Sequence, residues 1–110
     1  MAIHLHHDDL PDGLKLGPRV AIDSETMGLN PHRDRLCLVQ LSAGDGEVHL
    51  VKFGKGAFKA PNLSRLLTDP AIAKLFHFGR FDIAIMRHAL GVVTTPVYCT
   101  KIASKLVRTF

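Results

Sequence analysis

Cysteine is scarce in this chain, and no part of it is apolar for long. Cys37 and Cys99 are its only cysteines, far apart and without a CxxC pairing. That argues against a disulfide framework and favours a reducing compartment. Cys37 lies inside an apolar run, where a free thiol behaves as a small core residue. No apolar run approaches the roughly 18 residues needed to span a bilayer. Met1 to Leu10 carries His4, His6, His7, Asp8 and Asp9, and is neither a signal nor a transit peptide. These absences together read as a soluble cytoplasmic protein. Internal repeats and low-complexity segments are also lacking.

What is present is enough for one globular domain. The chain has 110 residues, 46% hydrophobic and 22% charged, with 14 basic and 10 acidic side chains, a net charge of +4. A domain of this size buries a real core. The mild basic excess suits an anionic partner such as nucleic acid without identifying one.

Local pattern gives an order of elements. The terminal histidines and aspartates fit no standard ligand spacing, and a chain end is expected to be loosely ordered. Pro11-Asp12-Gly13 is a turn. Arg19 to Glu25 reads as a buried strand between Gly17-Pro18 and Gly28. A polar loop follows, then a central strand from Leu36 to Leu41, a hairpin turn at Ala43-Gly44-Asp45-Gly46, and a strand from Val48 to Val51. This predicts a three-stranded antiparallel meander. Lys52 to Ala60 reads as a loop. Pro61-Asn62 opens a helix with Leu63, Leu66 and Leu67 on its apolar side, ended by Asp69-Pro70. Ala73 to His77 is a short strand, Arg80 to Leu90 a helix stopped by Gly91, and Val97 to Cys99 an extended piece. Thr100 caps a last helix. Strands first, then strand and helix in alternation, predict an α/β fold on a mixed sheet.

The chemistry starts at Asp23 and Glu25. Side chains alternate along a strand, so an Asp-x-Glu spacing puts both acids on one face, roughly 6–7 Å apart. Either they are solvated where the strand frays into a loop, or a divalent cation sits between them. The helix from Arg80 supplies a third acid. At about 100° per residue, Phe81, Ile83, Ile85, Met86, Ala89 and Leu90 share a wide apolar arc, and Asp82 lies within it. Arg87 and His88 fall outside. A carboxylate facing the core is costly unless paired or metal-bound. Asp82 is therefore a metal ligand, a salt-bridge partner of Arg80 or Arg87, or a half-exposed acid favoured by the helix dipole. His77 reads as a structural histidine or a functional one. Lys101, Lys105 and Arg108 form a stripe on the last helix, either a phosphate-attracting surface or a solvated face.

These residues fall into a pattern. Ile22-Asp23-Ser24-Glu25-Thr26-Met27-Gly28-Leu29 resembles the first motif of the ribonuclease D-like, four-carboxylate 3′-to-5′ exonucleases. Arg35 to Leu41 looks like the strand that follows it, and His77-Phe78-Gly79-Arg80-Phe81-Asp82 is similar to the second motif. Pro31 to Cys37, His77 to Asp82 and Cys99 to Leu106 together look closest to the alphaproteobacterial nano-RNase C branch, which acts on very short RNA.

The resemblance implies a ribonuclease H-like mixed sheet. It also implies Asp23, Glu25 and Asp82 as ligands of two Mg²⁺ or Mn²⁺ ions, a choice that suits hard cations. Leu29 would be an apolar wedge against the terminal bases. Thr26, Met27 and Gly28, with His77 and Arg80, would contact the terminal nucleotide or its phosphate. The family's third motif, with a catalytic tyrosine or histidine and the fourth aspartate, should follow tens of residues after Thr100, and the chain ends at Phe110. Tyr98 is not in that motif. The expectation is a single partial exonuclease domain over residues 1–110, nearly inactive alone. The partner is a short RNA or dinucleotide and no membrane, with a homo-oligomer of the full-length protein left open. A non-catalytic nucleic-acid-binding module and a DNA-directed proofreading-type exonuclease are the alternatives.

Overall fold

The computed structural model describes residues 2–26, 35–54, 59–77 and 79–99, with backbone alone at 79, 80 and 99. Among these, β2 (Arg19–Thr26) buries Val20 and Ile22 on one face and exposes Ala21, Asp23 and Glu25 on the other. β3 (Leu36–Ser42) buries Leu36, Val39 and Leu41, and β4 (Glu47–Lys52) buries His49 and Val51. β2 pairs antiparallel with β3, and β3 antiparallel with β4, as the meander predicted. The β3–β4 turn places Gly44 and Gly46 at φ of 80° and 85°, where a side chain would be strained. The Asp45 carboxylate accepts the Glu47 N–H there at 3.0 Å.

β5 (Ala73–Phe76) and β6 (Val97–Cys99) then add in parallel beside β2. Among the described residues, α1 (Pro61–Thr68) and α2 (Gly79–Leu90) are the helices. Leu63, Leu66 and Leu67 of α1 join Ile85 and Met86 of α2 and the inward residues of β2 and β3 in one core. The helix from Thr100 and its basic stripe lie outside the described residues.

The N-terminus departs from expectation. Ala2–His7 is a strand, β1, parallel to β4 at the sheet's edge, which completes the order β1-β4-β3-β2-β5-β6. Ile3 and Leu5 alternate with His4 and His6 but are exposed, so the strand buries no apolar face. Backbone pairing and the residues just after it hold it instead. The Asp8 carboxylate accepts the Gly54 N–H at 2.8 Å. That of Asp9 accepts the N–H groups of Asn62 and Leu63 at 3.0 and 2.9 Å. Ala60, at the N-cap of α1, makes no side-chain cap, so a distant aspartate meets the first-turn donors that a local Ser or Asp ordinarily satisfies.

Two of the N-terminal histidines join His49 across the β1–β4 pair. His6 Nε2 lies 3.0 Å from His49 Nδ1, and the His49 ring stacks between His4 and His6, with centroids 4.8 and 5.3 Å away. Glu47 accepts from His4 Nε2 at 3.1 Å. Burial lowers the pKa of His6, with His49 and His4 adding to it. Burial and His4 lower that of His49, against the pull of Asp45 and Glu47. Both histidines bind protons more weakly folded than unfolded. Their contribution to stability is thus complete above the unfolded value near 6.5 and is lost as pH falls through 6.5 toward the lowered values. The melting temperature is expected to fall on acidification from pH 7.5 to 5.5, and less steeply in His49→Gln. Equal slopes in the two proteins would contradict this.

Candidate active site

β2 carries its two acids just past the point where its parallel neighbour stops. β5 pairs with β2 only as far as Phe76 opposite Ile22, so Asp23, Ser24 and Glu25 extend beyond it, at the carboxyl end of a parallel pair. In open α/β sheets ligands bind outside such strand ends. Asp23 and Glu25 share the exposed face of β2, as their spacing predicts. The β2–β3 register shifts between Glu25 and Thr26, a bulge of the kind that re-aims side chains beside functional sites. Thr26 is the half-buried last residue of β2.

α2 follows β5 after His77 and brings the third acid back to β2. Asp82, in the first turn of α2, is 5% exposed, while Arg87 and His88 are exposed on the far side. Among the described side chains, the hydrogen-bond partner of Asp82 is Ser24, whose hydroxyl donates to Asp82 Oδ1. Burial pushes the Asp82 carboxyl above the usual carboxylate range. Asp23 and Glu25 push it further, while the Ser24 hydroxyl and backbone N–H pull it down. The three acids are thus near enough to feel one another. Among the described residues, however, no three His, Cys, Asp or Glu side chains converge tightly enough to hold a metal ion as they stand.

The donor set nonetheless fits a hard divalent cation. Three carboxylates, one almost wholly buried, concentrate negative charge at one strand–helix junction, and a cation there reverses the sign of each repulsion. His77 is exposed directly after β5. Arg80 lies in α2 with its side chain outside the described residues, and Met27, Gly28 and Leu29 lie wholly outside them. Ser24 is the residue that sequence reasoning missed. Its signal was available: the middle residue of Asp-x-Glu on a strand must face opposite the acids. A cavity of about 510 Å³ between residues 10–18 and α1, lined by Leu10, Leu14, Leu16, Asn62, Arg65 and Ile72 among others, contains none of these residues.

A family described as 3′-5′ exonuclease matches residues 7–109. The chain belongs to the 3′-5′ exonuclease family. Within it the chain is ribonuclease D-like, with the ribonuclease H-like fold. Ribonuclease D of Acidiphilium cryptum is 34% identical over 95 residues, covering 86% of this chain and 24% of that protein. Brucella melitensis NrnC bound to pGG is 56% identical with a TM-score of 0.94, covering 99% of this chain and 54% of that one. The same protein with bound Mg²⁺ has a TM-score of 0.94 at 56% identity, with 99% and 55% covered. This exonuclease chain therefore spans about half the length of these NrnC chains and about a quarter of the ribonuclease D. Among its described residues no helix is long and apolar enough to cross a membrane.

Proposed function

We propose that this chain is the N-terminal part of a metal-dependent 3′-to-5′ exoribonuclease that cuts short RNA, dinucleotides included, to nucleoside 5′-monophosphates. The observation that carries this reading is Asp82. A carboxylate buried against the strand that bears Asp23 and Glu25, and repelled by both, is costly for the fold alone. The nearness of NrnC structures holding Mg²⁺ and pGG supports both the cofactor and the substrate class.

In this reading Asp23, Glu25 and Asp82 hold Mg²⁺ or Mn²⁺, two ions in the complete enzyme. When bound, such ions activate the attacking water and stabilise charge on the attacking and leaving oxygens of the phosphodiester. The protein's part is placement. β2 presents two acids on one rigid face, and α2 fixes the third from the side. His77 and Arg80, at the entry to α2, would contact a terminal phosphate or nucleotide. Thr26, Met27 and Gly28 would contact the terminal nucleotide, with Leu29 as the wedge against the bases. In this reading the remaining acid and the catalytic tyrosine or histidine would come from the family's third motif.

Release of mononucleotides from an end-labelled dinucleotide with Mn²⁺ tests this. The protein encoded by the uninterrupted reading frame is expected to turn over. The 110-residue chain is expected to be nearly inactive, because groups that act as a unit lose most of their rate when members are missing. Inactivity of the longer protein would overturn the enzyme reading, and robust turnover by the short chain would overturn the partial-site reading. Single-stranded DNA added as competitor is expected to slow the reaction less than short RNA does.

A further inference from the structure

Ser24 separates the two acids of β2 in sequence and hydrogen-bonds to one of them and to the third acid, Asp82. Alternation turns its side chain away from the face of Asp23 and Glu25 and toward α2. Its hydroxyl donates to Oδ1 of Asp82, and its backbone N–H donates to Oδ1 of Asp23 at 2.9 Å. One residue thus holds two carboxylates that arrive on different elements. The pairing of β5 with β2 ends at Ile22, so two residues further on that side of β2 is met by α2.

We infer that Ser24 is a positioning residue of the metal site, fixing the carboxylates of Asp23 and Asp82 relative to each other across the strand–helix junction. This rests on the reading of those acids as metal ligands. The chemistry of the donor supports the role. A carboxylate offers about four lone-pair sites on two oxygens, so one hydrogen bond orients it and leaves the rest free. A lysine or arginine in the same place would also orient Asp82, but would cancel the charge that attracts the cation. A hydroxyl orients without neutralising. Hydrogen bonds to ligating side chains are worth about 10–100-fold in metal affinity where they have been removed.

The test is Mn²⁺ titration of the metal-free protein, with free Mn²⁺ read by electron paramagnetic resonance and the metal-free melting temperature measured alongside. Ser24→Ala is expected to weaken Mn²⁺ binding about 10–100-fold, and Ser24→Thr, which keeps the hydroxyl, to restore it. Ser24→Cys, close in size but a weak donor, is expected to show the loss as well. It decides the matter if the alanine variant folds poorly. Binding by Ser24→Ala or Ser24→Cys as tight as wild type would overturn the inference while leaving the metal site intact. A wild-type protein that binds no Mn²⁺, or an Asp82→Ala variant that binds it equally well, would overturn the metal reading itself and the role of Ser24 with it.

Discussion

Asp82→Asn in the full-length protein is expected to lower the exonuclease rate by on the order of 10⁴-fold, with no loss of stability in the absence of metal. The two halves of that result have one cause. Asp82 is buried, and its carboxyl is raised by burial and by Asp23 and Glu25. A carboxyl whose pKa is raised on folding disfavours the fold progressively as pH rises above its unfolded value of 3.8, so at neutral pH Asp82 works against the fold. Asparagine has the same shape, keeps an oxygen to accept the Ser24 hydroxyl, and carries no charge. It therefore removes the repulsion together with the metal affinity. A structural aspartate predicts the reverse: a melting temperature well below wild type and a rate that follows the folded fraction. Metal-free melting curves and single-turnover rates on the same two proteins separate these outcomes.

Lys74→Met is expected to cost about 2–6 kcal/mol of stability. Lys74 lies in β5 with no exposed surface. Its ammonium donates to the carbonyls of Asp69 at 2.5 Å and Thr95 at 2.7 Å, tying the turn before β5 to the loop before β6. Burial lowers its pKa, with Asp69 opposing, so the two carbonyls serve as its compensation for lost hydration. Methionine fills much of the same space but donates nothing, and two buried acceptors lose their partner at about 1–3 kcal/mol each. For a domain of this size that is a fall in melting temperature on the order of 10 °C or more. Lys52, exposed at the end of β4, is the control, and Lys52→Met is expected to change stability by no more than about 0.5 kcal/mol. Denaturant unfolding of both variants measures the contrast. Equal midpoints would show that the Lys74 contacts contribute little.

Much of the fold was legible because the burial of its central elements follows simple periods. β2 and β3 show it in Val20 and Ile22, and in Val39 and Leu41. α1 shows it in Leu63, Leu66 and Leu67, and the wheel of α2 placed Asp82 on the core side, where it lies. β1 was illegible for the opposite reason. Its side chains are nearly all exposed, and what holds it is pairing to β4, a histidine stack and the carboxylates of Asp8 and Asp9 reaching residues far along the chain. No local pattern encodes contacts of that separation. Lys74 was illegible too, because a lysine in a short strand reads as solvated until two carbonyls from separate loops are seen to surround it. At the candidate site, the sequence supplied the acids and the fold supplied their neighbour. That Ser24 meets Asp82 follows from alternation along β2 combined with the packing of α2, and only the second of these needed the structure.

The most direct test of the central claim is the anomalous signal of manganese in crystals of the full-length protein soaked in Mn²⁺. The account predicts a peak within coordination distance, about 2.0–2.6 Å, of carboxylate oxygens from Asp23, Glu25 and Asp82, lost in Asp82→Asn. Manganese bound elsewhere, with Asp82 still held by Ser24 and no peak among the three acids, would contradict it.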